Sequence, residues 1–380
     1  MTEVRFAVVG YGNIGRAHVT TLAGGAVERA RLSAVVTRDE AAELPAGVAR
    51  FASVEDLLAV DAADAVLVAT PTMTHAELGE RVLAGRRHLV MEKPVATSVK
   101  GVRQLAGSVP DGVHAAVMLN QRYHPVYREI HAVVAGGALG RIVRFNWLMT
   151  AWYRPDVYFL VSPWRGTWPG EGGGALLNQC IHNLDVLAWV LGLPESVLAD
   201  VRFGKFHQID VEDEVSAILS YADGATGVVV ASTGEAPGMN RLDIVGDRGT
   251  LSFDGERLSV ATADGSVARH CASSREMFGV PGFETAAVPV GAEVNQHACV
   301  LQNVVDTVLD GGNLATPLSE GELSLTLANA MLLSAWEERR VTLPLDVDLY
   351  QAALEARIAA GAFRQPLDLD VHIDMDASYR

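Results

Sequence analysis

Hydrophobic residues fall into two rhythms along the chain. Up to about position 124, short unbroken apolar runs at 4–9, 32–37, 65–69, 88–91 and 113–119 read as buried parallel strands. Stretches of helical periodicity, from the first run to about Ala23 and at 54–60, 74–84 and 98–108, read as the crossovers between them. Strands alternating with helices predict an α/β fold with a doubly wound parallel sheet. Beyond 125 the rhythm changes. A helix to about Ala135 ends in Gly136-Gly137, and alternating runs follow at 142–152, 197–206, 213–221, 226–232, 241–245, 250–253 and 257–261, several separated by glycine or Asp-Gly turns. They predict an α+β domain built on a large, mainly antiparallel open sheet. One helix lies between its first two strands, and two follow it near 296–309 and 321–338. The boundaries fall at 1–124, 125–345 and 346–380, the last a helix and strand extension. Within it, 367–376 is apolar at every odd position. That is the pattern of a strand joining a sheet edge or crossing a subunit boundary, with Asp368, Asp370, His372, Asp374 and Asp376 on a solvated face.

The first apolar run leads into Gly10-Tyr11-Gly12-Asn13-Ile14-Gly15. Glycines so placed allow a tight turn, let backbone approach a pyrophosphate, and pack a helix closely on its strand, with the helix N-terminus supplying N–H donors. Residues 1–124 therefore read as a Rossmann dinucleotide-binding domain, with Gly10, Gly12, Asn13, Ile14 and Gly15 at the cofactor. The second strand ends in Thr37-Arg38-Asp39. An acid at that end suits the ribose hydroxyls of NAD, whereas hydroxyl and arginine suit a 2′-phosphate. Thr37 and Arg38 thus favour NADP, and Asp39 keeps NAD open. Polar clusters at 70–75, 92–94 and 120–123 follow later strands, at the edge where such sheets bind ligands.

A second signal is independent of the first. Gly172-Gly173-Gly174 reads as a flexible hinge before a helix running through Val190, in which Asn178, His182 and Asp185 are spaced four and three apart and so share a face. A histidine set into an apolar face is either hydrogen-bonded structure or a titrating group aimed at a ligand. Composition narrows the class. At 380 residues the chain exceeds one core, and its net charge of −16 disfavours nucleic acid or anionic membrane as partners. Cys180, Cys271 and Cys299 have no metal or redox spacing and fit a reducing cytoplasm. No signal peptide, membrane span or metal site is expected.

Together these motifs resemble the Gfo/Idh/MocA family of nicotinamide-dependent sugar and cyclitol oxidoreductases. The likeness runs through the glycine turn, Pro71 and His75, Glu92-Lys93-Pro94, the triple glycine with His182 and Asp185, and Asn295-Gln296-His297. It implies hydride transfer between a nicotinamide and a secondary hydroxyl or ketone, with Lys93 and His182 in the active site. His182 is then the general acid/base, since its ordinary pKa lies near operating pH, and Lys93 stabilises the developing alkoxide. Where the family usually carries aspartate four residues before the histidine, this chain has Asn178, which orients groups but holds no proton. Asp185 is read as bracing the helix or His182. Pro71, His75, Glu92, Asn120 and Arg165 are placed at the cofactor, and Arg122, Tyr123, Tyr153 and Trp164 at a polyol substrate. The resemblance also admits cofactor-assisted glycoside cleavage or a sensor without turnover; Lys93 and His182 together favour catalysis. Family members commonly associate through the second sheet, which implies a homodimer or homotetramer.

Overall fold

A computed structural model describes residues 2–369 and 371. The first part of the chain is β1 (Val4–Val9), α1 (Asn13–Ala23), β2 (Ala30–Val36), β3 (Ala49–Phe51), α2 (Val54–Leu58), β4 (Ala65–Val68), α3 (His75–Ala84), β5 (His88–Met91), α4 (Val99–Gly107) and β6 (Ala115–Val117). The six strands form one parallel sheet in the order β3-β2-β1-β4-β5-β6. Chain direction across the sheet reverses between β1 and β4, so a ligand cleft opens at their carboxyl ends. Both faces are covered, which is why the strands read as continuous apolar runs. Phe6 and Val8 face Val19 and Leu22 of α1, while Ala7 and Val9 belong with Val82, Leu83, Val102 and Leu105 of α3 and α4.

The chain continues as α5 (Pro125–Ala135), β7 (Ile142–Met149), α6 (Asp156–Leu160), α7 (Trp168–Glu171), α8 (Ile181–Leu191), β8 (Ser196–Phe203), β9 (Glu212–Ser220), β10 (Thr226–Ser232), β11 (Asn240–Gly246), β12 (Gly249–Phe253), β13 (Leu258–Ala263), α9 (Val267–Ser273) and β14 (Phe283–Ala287). It closes with α10 (Gln296–Asp310), α11 (Gly321–Trp336), β15 (Val341–Thr342) and α12 (Val347–Ala360). The second sheet is ordered β14-β13-β12-β11-β7-β10-β9-β8-β15. It is antiparallel except where β10 runs parallel to β7. One face buries Phe145 and Trp147 together with Leu184 and Leu187 of α8 and Leu325, Ala328 and Leu332 of α11. The other face is open: Leu198, Ile218 and Val228 are each more than a third exposed.

Three features differ from the sequence reading. The 296–309 helix, expected to follow the second sheet, returns as α10 to the first, where Leu301, Val304 and Val305 pack beside α1 and Arg29 pairs with Asp306 and Asp310. Strands β3, β14 and β15 were not anticipated, because they are two to five residues long and β14 is exposed along its whole length. Of the expected terminal strand, 367–369 and 371 form none. The Leu367 N–H bonds instead to the Leu160 carbonyl at 2.8 Å. Residues 370 and 372–376 lie outside the described residues.

Candidate active site

The cofactor end is built around glycines that no other residue could replace. Gly10 adopts φ +96°, and a Cβ there would lie 2.6 Å from the Ala69 carbonyl oxygen. A Cβ on Gly15 would lie 2.1 Å from the Gly10 oxygen, so α1 docks on β1 only without one. At Gly12, by contrast, nothing stands within 4 Å, and Gly12 caps α1 with no side-chain bond. The leading N–H groups of α1, at Asn13 and Ile14, thus open onto free space and fit an anionic diphosphate. At the end of β2, the Thr37 hydroxyl accepts from the Asp39 N–H, and Asp39 closes its own turn onto the Ala41 N–H at 3.0 Å. Arg38 is exposed and forms no ion pair among the described residues.

At the end of β5, Glu92 is buried, and its carboxylate meets the His18 ring at 2.6 Å and the Lys93 N–H at 3.1 Å. Burial works to raise its pKa, but the bond and charge of His18 outweigh it and hold the group at about 2. His297 at the start of α10 meets His18 edge to face, 5.2 Å between ring centroids, and burial pushes its pKa down to about 4. Glu92 therefore anchors a histidine cluster beneath the cleft. His75 is buried with both ring nitrogens on backbone carbonyls, those of Pro94 and Thr70, each at 2.8 Å. It ties the β4 loop to the β5 loop instead of presenting a ring to a ligand, while Pro71 caps the exposed turn before it. Asn120 donates to Gln296 at 3.2 Å, and its buried Oδ1 has no partner.

The triple glycine, expected as a flexible hinge, is buried and closely packed. A Cβ on Gly172, at φ +73°, would lie 2.4 Å from Thr97, and one on Gly174 would lie 2.1 Å from the Glu212 carbonyl oxygen. The glycines are there for close approach. Glu212 binds the Leu176 N–H at 3.0 Å, and burial raises its own pKa to about 7. The chain then turns through 175–180 before α8 begins at Ile181. Asn178 consequently precedes the helix and does not share a helical face with His182. It meets Lys93 through its backbone: Lys93 Nζ donates to the Asn178 carbonyl at 2.9 Å.

His182 stands in the first turn of α8, buried, its Nδ1 without a partner and its ring forming no hydrogen bond among the described residues. Burial, and then the charge of Lys93, hold its pKa well below the usual histidine value. It is therefore neutral at neutral pH and ready to accept a proton. Burial also lowers Lys93, with Glu92 opposing and the Arg154 charge adding to the depression.

The remaining candidates divide. Arg165 stacks 4.1 Å over the Tyr158 ring and 5.1 Å over Trp164, and its buried Nε has no partner among the described residues. Arg122 does not face the cleft: it forms a buried bidentate pair with Asp185, at 2.9 and 2.7 Å, and reaches Glu320 at 3.0 Å. Asp185 thus braces α8 through Arg122 and not through His182. Tyr123 packs into the apolar cluster under α10, and Tyr153 is exposed at the edge. Sequence reading missed Glu171 and Tyr158, both bonded to Asn178. The signal for Glu171 was a carboxylate directly preceding the triple glycine. Among the described residues no group of three or more His, Cys, Asp or Glu side chains is arranged to hold a metal ion, and no helix is long and apolar enough to cross a membrane.

Comparison with known proteins agrees with this geometry. Residues 4–111 match the model of the oxidoreductase family with NAD-binding Rossmann fold, and residues 127–252 match the GFO/IDH/MocA C-terminal domain. An inositol 2-dehydrogenase from Rhizobium meliloti (strain 1021) is 26% identical over 356 residues, covering 90% of this chain and 99% of that protein. The WlbA dehydrogenase from Bordetella pertussis, solved with NADH and UDP-GlcNAcA, superposes with a TM-score of 0.76 at 28% identity, covering 90% of this chain and all of that one (100%). GenD2 from gentamicin A biosynthesis, solved with NAD, gives a TM-score of 0.71 at 27% identity, covering 90% and 97%. With both halves of the chain matched by models of the same family, the chain belongs to the Gfo/Idh/MocA family of oxidoreductases.

Proposed function

We propose that the protein is a dehydrogenase or reductase acting on a secondary hydroxyl or ketone of a sugar, sugar derivative or inositol. The observation that carries this reading is a histidine held below its usual pKa, its ring forming no hydrogen bond among the described residues, beside a half-buried lysine at the carboxyl edge of a dinucleotide-binding sheet. A bound nicotinamide supplies the hydride acceptor or donor. In the oxidising direction the unprotonated His182 ring takes the hydroxyl proton, and the Lys93 ammonium, fixed by the Asn178 carbonyl, steadies the developing alkoxide. In the reducing direction His182 first takes a proton from solvent, which its lowered pKa makes scarce at neutral pH, and passes it to the carbonyl oxygen. Asn178 orients the substrate, with Trp164 offering an aromatic face to its ring. A panel of inositols, aldoses, uronic acids and glycosides, followed at the reduced-nicotinamide absorbance with NAD and with NADP and by product analysis with and without added cofactor, tests the proposal; no turnover on any polyol would overturn it, and glycoside cleavage that needs no added cofactor would redirect it to cleavage assisted by a retained nicotinamide.

Arg38 is the residue we assign to cofactor choice, with preference for NADP, because it is exposed and forms no ion pair among the described residues while Asp39 is spent on its own turn. Replacing Arg38 by alanine is expected to weaken NADP binding about tenfold and leave NAD nearly unaffected, read by fluorescence titration of the reduced cofactors. Equal losses would return the ribose contact to Asp39. The fold suits residues 1–124, 125–345 and 346–380 as its units, and the three free cysteines suit the cytoplasm.

The open face of the second sheet is the surface we assign to a homodimer or homotetramer, since a sheet face bearing Leu198, Ile218 and Val228 is costly to leave wet. Ile218→Glu is expected to convert the oligomer to monomer in light scattering; an unchanged mass would place the interface elsewhere.

A further inference from the structure

Glu171 is a buried carboxyl for which the hydride-transfer reading has no task. It ends α7, only 3% exposed, directly before the left-handed turn at Gly172. One carboxyl oxygen, Oε2, accepts from the Gly166 N–H at 2.7 Å, and Oε1 accepts from Asn178 Nδ2. That Nδ2 also lies 3.3 Å from the Tyr158 hydroxyl. One residue therefore links acid to lysine, because Asn178 holds Glu171 with its side chain and receives Lys93 on its backbone carbonyl.

A carboxyl is a poor choice for a purely structural bond here. An ionised oxygen pair taken out of water without a salt-bridge partner is costly, whereas glutamine would accept from Gly166 at less expense. Among the described residues Glu171 forms no ion pair. The charged groups facing it are Lys93 from the end of β5, Arg165 from the loop before α7, and Glu212 from β9 across the glycine turn. Burial outweighs the two cations and raises its pKa to about 7, so its charge changes where dehydrogenases operate.

Resting on the hydride-transfer reading of the site, we infer that Glu171 is a positioning residue whose ionisation sets the orientation of the Asn178 amide and the charge of Lys93. Ionised, it accepts from Nδ2, leaves Asn178 Oδ1 to receive a substrate hydroxyl, and favours the ammonium form of Lys93. Protonated from solvent, it donates its O–H to Oδ1. The amide then turns over, and the support for the lysine charge is withdrawn.

The test is the pH profile of kcat/KM for alcohol oxidation. Wild type should show two acid limbs, one near pH 7 from Glu171 and one well below it from His182. Glu171→Gln should lose the upper limb, keep the lower, and fall about tenfold at pH 8 as the Asn178 amide loses its fixed orientation, with reduced-cofactor affinity unchanged. A merely structural role would lower the rate evenly and leave both limbs in place, which would overturn the inference. Glu171→Asp guards against a variant that fails to fold: it keeps a carboxyl in a shortened position, and its upper limb should move, so an unmoved limb also counts against the assignment. Infrared pH-difference spectra separate this result from the functional reading. Wild type minus Glu171→Gln should show a protonated-carboxyl band titrating near pH 7, the contribution of Glu212 cancelling. That band in a wild-type protein inactive on every polyol would sink the dehydrogenase reading alone; its absence would sink the Glu171 assignment.

Discussion

Alanine at His182 or at Lys93 is expected to lower turnover on a good polyol substrate by about 10²-fold or more while leaving dinucleotide binding nearly intact. The two losses have different causes. The His182 ring is buried and forms no hydrogen bond among the described residues, so removing it deletes the proposed proton acceptor without breaking a bond seen there. Lys93 touches the Asn178 carbonyl at 2.9 Å, and removing it deletes the charge that faces the alkoxide. Their pH signatures should also differ. His182 titrates below the usual histidine range, partly because the Lys93 charge depresses it. In Lys93→Ala the His182 limb should therefore move to higher pH. Steady-state kinetics with fluorescence titration of the reduced cofactor reads both quantities. Near wild-type turnover in either variant would remove that residue from the chemistry, and a parallel collapse of cofactor affinity would mean that the loss is structural.

The parallel sheet was legible because both of its faces are buried, which writes each strand as an unbroken apolar run and each crossover as a helical stripe. The longer strands of the second sheet were legible for the opposite reason: one face packs and one is open, giving the alternation seen in Glu212–Ser220. What escaped was whatever carries no period. The exposed strand Phe283–Ala287 takes its place only by pairing with β13, and the return of α10 to the first sheet depends on a packing surface that lies far away in sequence.

The active site divides along a similar line. Lys93 and His182 were legible as candidates because their motifs are local, and the fold brings them close enough for the Lys93 charge to act on the His182 ring. Asn178 was placed on a helical face by spacing alone, yet the buried glycines, forced against Thr97 and the Glu212 backbone, hold the chain in turns until Ile181. Glu171 left only a faint local mark, a carboxylate directly before the triple glycine; what distinguishes it is a hydrogen bond across seven residues and a closed environment, neither of which a sequence displays. Arg122 looked like a substrate ligand beside Asn120 and Tyr123, and only the fold reveals that Asp185, 63 residues later, claims its guanidinium.

That pair yields the largest expected effect on stability. Arg122 and Asp185 have side chains 7% and 1% exposed, and the fork of one meets both oxygens of the other. Breaking a buried pair from one side leaves a charge in low dielectric, which costs about 3–5 kcal/mol. Asp185→Ala should approach that figure. Glu320 remains to pair with Arg122, but its carboxylate is 36% exposed and makes a single contact at 3.0 Å, so it compensates only in part. The double change Arg122→Met with Asp185→Leu removes both charges and fills the space with apolar volume, and it should cost less than either single change. Urea denaturation of Arg122→Met, Asp185→Leu and the double variant measures the coupling, and kinetics on the folded fraction separates bracing from recognition. If the pair only braces α8 against the turn at 120–123, the Michaelis constant for substrate stays near wild type while stability falls. A Michaelis constant that rises tenfold in the apolar double variant, with stability retained, would put Arg122 back in contact with substrate.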